Sequence, residues 1–394
     1  MNGLNNDKNS LGAVPRVVGI WLMIGVAMVV VQILIGGITR LTNSGLSITE
    51  WNVIGGVIPP LNTEQWEAAF QAYKDHTVQF EQIHADMDLA GFKFIYFWEW
   101  FHRLWARSIS IVFIIPFCWF WYKGYFNRAM WIKLLGLVSL GALVGLFGWI
   151  MVKSGLNTPE LAWVSAYKLT IHLSLALIVL GYVLWLSFQV MQPEAVDGDN
   201  AKLKSLARWT FGVAAVQIIL GGLMSGMKAG LMYPYFPVMQ SADVAHFTLN
   251  GSYVPDVLFQ SSEWNVDNMT NYQKNAFAPA LVQLLHRGVA YLLTLLVLVF
   301  AVKVYKSASS ATLRRATVML LTALFTQVSL GIITLINCFP TVPAFWGVLH
   351  QGGAILLLSV MLYVLYQFSG ARQSVVVENE ATTGALDYEK GVVL

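Results

Sequence analysis

A carboxylate, an imidazole and a guanidinium lie within one apolar stretch of the sequence, at Glu99, His102 and Arg103. Charged groups are costly at membrane depth, so their presence there indicates a functional site. Glu99 and His102 are three residues apart, which places them on one face of a helix. A carboxylate beside a metal-bound imidazole can move protons or hold a water molecule. The alternative for Glu99 is an ion pair with Arg103, four residues along the same helix.

Three further histidines lie in similar apolar stretches, at His172, His286 and His350. With His102 they form two pairs, and two imidazoles that face each other across a helix bundle suit the axial positions of a haem iron. A single histidine in a membrane helix commonly makes only a hydrogen bond to another helix, and this alternative stays open for each residue taken alone. Zinc fits less well, because no cysteine or carboxylate completes a set of four ligands in both pairs.

Arginines accompany these histidines. Arg103 and Arg287 directly follow a predicted ligand, and Arg107 lies one helical turn beyond Arg103. Bidentate guanidinium groups suit the two propionates of a haem, so all three arginines are candidate cofactor-binding residues. The alternative is that these side chains extend to the outer interface of the membrane. The remaining histidines fall in loops and are predicted to be solvated: His76, His84 and His246.

The composition shows that membrane helices must position these residues. The chain is 57% hydrophobic and 11% charged, with a mean hydropathy of +0.61, whereas soluble domains carry about 25% charged residues. A net charge of +3 does not favour a nucleic-acid partner. Two cysteines far apart in the chain, Cys118 and Cys338, predict neither a disulfide framework nor a thiolate metal site.

Eight apolar stretches are long enough to cross a lipid bilayer as helices. They cover about 17–38, 93–121, 134–152, 169–191, 209–227, 278–302, 317–337 and 346–368. The first is longer than the core of a secretory signal and no cleavage site follows it, so we expect an uncleaved span. The sixteen residues before it contain one Arg and one Lys, unlike a mitochondrial transit peptide, which favours a bacterial inner membrane.

Basic residues predict the orientation of the spans. The connections after the second, fourth and sixth spans are rich in Lys and Arg and are therefore expected in the cytoplasm: Lys123, Arg128, Lys133, Lys202, Lys204, Arg208, Lys303, Lys306, Arg314 and Arg315. Both termini of this multi-pass protein are then cytoplasmic. The long segments 39–92 and 228–277 lie outside.

The two halves of the chain repeat. The segment VQILIGG at 31–37 returns as VQIILGG at 216–222. The pair His102-Arg103 returns as His286-Arg287, and His172 corresponds to His350. Four spans per half, an even number, keep both copies in the same orientation, which defines a parallel repeat. The sequence therefore predicts an all-α integral membrane protein whose eight transmembrane helices form two pseudo-symmetric four-helix bundles.

The predicted organisation is a cytoplasmic N-terminus (1–16), an N-terminal bundle (17–191), a cytoplasmic linker (192–208), a C-terminal bundle (209–368) and a cytoplasmic tail (369–394). Glycines in the odd spans would let a flat macrocycle approach the helix backbone: Gly36, Gly37, Gly221, Gly222 and Gly331.

The halves differ at one informative position. Where the first half has Glu99, the second has Gln283. This asymmetry predicts a reaction site in the N-terminal half and a structural or electron-transfer haem in the C-terminal half.

Longer motifs resemble a known family. TRLTNSGLSI at 39–48, GFKFI at 91–95, EWFHR at 99–103, VQLLHR at 282–287 and LHQ at 349–351 resemble the haem A synthase family, in its proteobacterial and mitochondrial branch. The resemblance runs through all eight spans. The cysteine pair found in the first outer loop of another branch is absent here.

The resemblance implies oxidation of the C8 methyl group of haem O to a formyl group, by successive hydroxylations, to give haem A. It also implies that His102 and His172 face the substrate haem with Glu99 assisting, while His286 and His350 bind haem b. The expected partners are haem O and the haem O synthase that supplies it, an unidentified electron donor, terminal oxidase assembly and the lipid bilayer. A homo-oligomer is left open.

Two other functions stay open on the residues alone. A membrane cytochrome b that passes electrons from a quinol pool to a partner would use four histidines equally well, but it does not account for a carboxylate in only one half. A transporter is compatible with a parallel repeat, but the ionisable groups here cluster near one membrane face rather than at the midplane.

Overall fold

A computed structural model describes residues 14–50, 55–156, 163–192 and 200–369. Within these ranges the chain forms eleven α-helices, eight of which are long and apolar enough to cross a membrane. The eight are α1 (Arg16–Leu41), α4 (Leu89–Tyr122), α5 (Arg128–Leu156), α6 (Ala166–Met191), α7 (Ala201–Gly226), α9 (Phe277–Lys306), α10 (Ala311–Ile336) and α11 (Ala344–Gln367). The prediction of an all-α membrane protein with eight spans is confirmed.

Several helices begin before the predicted spans, because hydropathy detects only the part inside the lipid. The side chain of Asp88 caps α4 by accepting a 2.8 Å hydrogen bond from the Gly91 amide. Asn200 caps α7 in the same way, with a bond of 3.0 Å from the Leu203 amide. The end of the predicted linker 192–208 is therefore helical. Its residues 193–199 lie outside the described ranges, as do 1–13 and 370–394 of the predicted termini.

Helix packing fits the two predicted bundles. In the first half α1 packs against α4 and α6, and α5 packs against α6. In the second half α9 packs against α7 and α10, and α10 packs against α11. The halves meet where α6 contacts α7 and where α11 contacts α1 and α6. Apolar side chains also cover the outer surface of the helices, as lipid requires; Ile115 is 65% exposed and Phe325 is 75% exposed.

The two segments predicted to lie outside the membrane, 39–92 and 228–277 (called the outer segments below), have secondary structure that the sequence did not predict. The first contains α2 (Thr63–His76) and α3 (Val78–Ile83), which pack on α4 through Phe70, Tyr73, Phe92 and Ile95. The second contains α8 (Val266–Thr270) and a short parallel pair, β1 (Phe236–Pro237) with β2 (Phe247–Thr248). In these segments α2 packs against α4 and α8 packs against α9.

The repeat extends to the turns that follow α1 and α7. Asn43 has φ 54° and Lys228 has φ 53°. These residues occupy equivalent positions, 185 apart, which is the offset of the repeated VQ segments. Both turns therefore use one left-handed residue at the same place to lead the chain into the outer segment.

Candidate functional site

The structure brings the predicted histidine pairs together. His102 on α4 and His172 on α6 lie in helices that both pack against α1. His286 on α9 and His350 on α11 lie in helices that both pack against α10. All four side chains are half-buried, so each ring keeps an accessible surface on which a ligand can bind.

Each ring lies against a glycine of the preceding membrane helix. A Cβ atom at the glycine would stand only 2.8 to 3.4 Å from the histidine Cε1 atom, and the pairs are Gly36 with His102, Gly148 with His172, Gly221 with His286 and Gly331 with His350. The missing side chain is therefore what lets each ring approach the helix backbone. The sequence predicted three of these glycines but missed Gly148.

Three of the histidines also contact a glutamine, one helical turn before the glycine. The Gln32 Nε2 atom lies 3.2 Å from Nδ1 and 3.1 Å from Nε2 of His102. Gln217 makes the same two contacts with His286, both at 3.2 Å. Gln327 Nε2 lies 3.5 Å from His350 Nε2.

The fourth histidine lies beside a valine instead of a glutamine. At the matching position of α5 stands Val144, and the Nδ1 atom of His172 lies 3.1 Å from the Val144 carbonyl oxygen. Sequence reasoning missed the glutamines, although Gln32 and Gln217 belong to the repeated VQ segment and each precedes its glycine by four residues.

Glu99 is buried, with 3% of its surface exposed. One carboxylate oxygen accepts hydrogen bonds from the Ser47 hydroxyl at 2.7 Å and the Ile48 amide at 2.8 Å. The other pairs with the Arg103 guanidinium at 2.5 Å. The ion pair that the sequence offered as an alternative is therefore present, and Glu99 also ties the first outer segment to α4. A role in a reaction stays a prediction.

Gln283 ties the second outer segment in the same place. It is fully buried on α9 and its amide donates a 2.9 Å hydrogen bond to the Tyr233 carbonyl oxygen. Tyr233 is the repeat equivalent of Ile48, 185 residues later. Glu99 thus accepts a hydrogen bond from Ile48, whereas Gln283 donates one to the equivalent residue, Tyr233.

Arg103 and Arg287 anchor the outer segments to the helices. Arg103 donates to the carbonyl oxygens of Ile48 at 3.2 Å and Glu50 at 3.0 Å. Arg287 donates to the carbonyl oxygens of the equivalent residues, Tyr233 and Tyr235, at 3.4 and 2.6 Å, and also to those of Pro237 and Val238. Propionate binding by these arginines and by Arg107 stays a prediction.

Two of the other three histidines, His84 and His246, also contact protein groups. His76 is exposed, as predicted. His84 Nδ1 lies 2.8 Å from the Tyr73 hydroxyl, and His246 Nδ1 lies 2.6 Å from the Ile336 carbonyl oxygen. Burial, with a smaller contribution from Lys228, lowers the pKa of His84. The sequence favoured solvated over ligating side chains for these histidines, and the structure shows that His84 and His246 are only partly solvated, because the outer segments fold over them.

The donor set suits a haem better than a bare metal ion. Among the residues that the structure describes, no three His, Cys, Asp or Glu side chains are grouped to hold a metal. A structural zinc site needs four protein ligands. A haem needs only axial ligands from the protein, because the macrocycle supplies the rest. Two imidazoles per site, each fixed against a glycine, fit that requirement.

The fold and these residues define a class: a multi-pass membrane protein in which each half of the chain carries a pair of histidines. The family model of COX15-CtaA, described as cytochrome oxidase assembly protein, matches residues 19–362. The chain belongs to this family, which confirms the resemblance seen in its motifs.

Relatives with assigned names match along most of their length. A heme A synthase from Flavobacterium psychrophilum is 36% identical over 352 residues, which is 89% of this chain and 97% of the relative. One from Nitrosospira multiformis is 36% identical over 362 residues, covering 90% and 94%. One from Sinorhizobium fredii is 39% identical over 340 residues, covering 86% of each chain.

Proposed function

We propose that this chain is a haem A synthase, an oxidoreductase that converts the C8 methyl group of haem O to a formyl group. The observation that carries the proposal is the repeated histidine pair, each ring fixed against a glycine, in a chain 36 to 39% identical to proteins named heme A synthase. A cytochrome b that only transfers electrons is not favoured, because these relatives bear the name of a biosynthetic enzyme.

In this proposal the two halves have separate tasks. His102 and His172, in the half 17–191, hold the substrate haem. His286 and His350, in the half 209–368, hold haem b. When bound, the haem irons supply the redox chemistry. The glycines behind the rings fix the direction of each imidazole.

Glu99 is the residue that sets the N-terminal half apart. It lies one helical turn before His102, and Ser47, Ile48 and Arg103 fix its carboxylate in place. A carboxylate held in this way is placed to take up and return protons beside the substrate haem. The equivalent amide of Gln283 has no proton to exchange at neutral pH, which matches a haem site without a reaction.

The cellular setting follows from the same proposal. The chain lies in a bacterial inner membrane with both termini in the cytoplasm, so the histidine sites lie toward the outer face. A haem O synthase supplies the substrate, an unidentified electron donor is the redox partner of the successive hydroxylations, and haem A passes to terminal oxidase assembly. Apolar helix faces are compatible with a homo-oligomer.

The test is to purify the protein from cells with and without a source of haem O and to identify its haems as pyridine haemochromes. We expect haem b in both preparations and haem A only with haem O. In Glu99→Ala we expect haem b to be retained and haem A to be absent. Gln283→Ala removes the equivalent anchor in the other half and should still form haem A.

Two results would contradict the proposal. Haem b alone from every preparation of the unmodified protein would indicate a cytochrome. A normal yield of haem A from Glu99→Ala would remove the carboxylate from the reaction.

A further inference from the structure

Two cations from opposite halves of the chain, Arg40 and Lys228 (the cation pair), meet where the outer segments begin. Arg40 lies in the last turn of α1, and Lys228 lies just beyond the end of α7. The carbonyl oxygen of Ser225 accepts a hydrogen bond from Arg40 Nη2 at 2.8 Å and another from the main-chain amide of Lys228 at 3.2 Å. Ser225 is the repeat equivalent of Arg40, 185 residues later. The cation pair therefore lies at the junction of the two halves.

The cation pair has hydrogen-bond donors in excess. Within the described part of the chain, the Nε atom of Arg40 is buried without a hydrogen-bond partner, as is the indole Nε1 atom of Trp163. The ammonium group of Lys228 lies over the ring of Trp163, 4.0 Å from its centre. Among the described residues, no carboxylate pairs with either cation. Buried donors and charges usually have a partner, so this excess indicates that a negatively charged acceptor binds here.

The backbone of Lys228 is unusual for a lysine. Its φ of 53° is in the left-handed region, which favours Gly and Asn, and Asn43 occupies the equivalent position in the first half. Burial, and next the charge of Arg40, also lower the pKa of Lys228 from 10.5 to about 8. A lysine is therefore present where both the backbone and the surroundings disfavour it, which is expected if its charge binds a ligand.

The cation pair also lies close to the histidine sites along the helices. Arg40 is four residues, about one helical turn, beyond Gly36, which lies behind a predicted ligand ring of the first half. Ser225 has the same spacing from Gly221, which lies behind a predicted ligand ring of the second half. A haem carries two propionate carboxylates on one edge of its macrocycle. Guanidinium and ammonium groups are suitable partners for these carboxylates.

The arginines that directly follow two of the histidines have several main-chain partners. Arg103 donates to two carbonyl oxygens of the first outer segment, and Arg287 donates to four of the second. The side chain of Arg40 donates to main-chain oxygens only through Nη2 within the described part of the chain. Its other donors are therefore better placed to receive a ligand.

We propose that Arg40 and Lys228 bind a carboxylate at the junction of the two halves, and that this carboxylate is a propionate of a bound haem. Free phosphate and the phosphate of a lipid headgroup have similar chemistry, and the experiment distinguishes these sources. The inference rests on the proposed function and deepens it, because it names residues that hold the acidic edge of a haem.

The test places an isotope label on the propionates. Cells that produce the full-length protein receive 5-aminolevulinate with ¹³C in its carboxyl carbon, which becomes the propionate carboxyl carbon of the haem. Infrared difference spectra between the oxidised and reduced protein then contain carboxylate bands that shift with the label. A second measurement follows the transfer of haem from the protein to an excess of apomyoglobin.

The variants change one cation at a time. Lys228→Asn removes the charge and introduces the residue type of the equivalent position, Asn43, which suits the left-handed backbone. Lys228→Arg keeps a cation. The control is Lys202→Asn, which removes an exposed cation from the opposite end of α7.

We expect the labelled carboxylate bands to shift in Lys228→Asn and to return toward their original positions in Lys228→Arg. Loss of a charged hydrogen bond should also speed haem transfer to apomyoglobin by about 10-fold or more in Lys228→Asn. Lys202→Asn should match the unmodified protein in both measurements.

Unchanged labelled bands in Lys228→Asn, or an equal shift in Lys202→Asn, would overturn the proposal. If phosphate raises the unfolding temperature of the unmodified protein but not of Lys228→Asn, while the labelled bands are the same in both, the site binds another anion and the propionate assignment is wrong. If Lys228→Asn does not accumulate, Lys228→Gln gives the decision by the same criteria. These measurements need only bound haem b, so a failure of this inference is distinguishable from a failure to form haem A.

Discussion

Replacing Gly331 with alanine should displace the ring of His350, whereas the same change at Gly221 should leave the ring of His286 in place. The two glycines occupy equivalent positions behind the two histidines of the C-terminal half. A Cβ atom would stand 2.8 Å from Cε1 of His350 but 3.4 Å from Cε1 of His286. The first distance is a clash and the second is an ordinary contact.

The magnitude follows from these distances. To restore a contact of 3.4 Å, the ring of His350 must move by about 0.6 Å, which exceeds the tolerance of about 0.5 Å within which a binding site must hold its ligands. Overpacking of this kind costs about 1–3 kcal/mol. Alanine offsets about 1 kcal/mol of that through its higher helix propensity. Gly221→Ala gains the same helix propensity, and its Cβ atom does not clash with His286.

The assay measures bound haem b per protein and the thermal unfolding of the purified protein in detergent. We expect Gly331→Ala to lose most of its haem b and to unfold at the same or a lower temperature. Gly221→Ala should keep its haem b and be at least as stable as the unmodified protein. Equal haem contents in the two variants would refute the reasoning that ring placement depends on these close approaches.

Two further predictions concern the outer face. Arg287→Met leaves carbonyl oxygens of the segment 233–238 without their charged donor. Because each charged hydrogen bond contributes about 1.5–3 kcal/mol, this segment should exchange its amide hydrogens at least 10-fold faster. Replacing the exposed Arg315 with Met should not change exchange in this segment. Burial, and next the charge of Arg40, lower the pKa of Lys228 from 10.5 to about 8. Between pH 8 and 10.5 the unfolded chain therefore binds more protons than the folded protein. The free energy of unfolding should rise with pH across this range in the unmodified protein without haem but not in Lys228→Met.

The sequence determined the membrane architecture and the identity of the ligand candidates. Hydropathy marks a span wherever a helix must be apolar to sit in lipid, so all eight spans were predictable. The histidine pairs were predictable because the repeat places each of them at the same point of its half. Glu99 stood out because the repeat does not conserve its carboxylate: the equivalent residue, Gln283, has an amide.

The helix ends and the outer segments needed the tertiary structure. Asp88 and Asn200 extend their helices beyond the apolar stretch, which hydropathy does not detect. The outer segments pack through contacts that are distant in sequence, such as Tyr73 with Phe92. For that reason the partial burial of His84 and His246 was not predicted.

The contacts of the charged groups were also decided by the fold. Spacing alone allowed Glu99 to pair with Arg103 or to act beside His102. Only the packed structure shows the ion pair together with the hydrogen bonds from Ser47 and Ile48. Sequence spacing determines which residues share a helix face, but the packing of the neighbouring helix determines which residues that face contacts. For this reason only the tertiary structure shows the glutamines beside three of the histidines and the carbonyl oxygen beside His172.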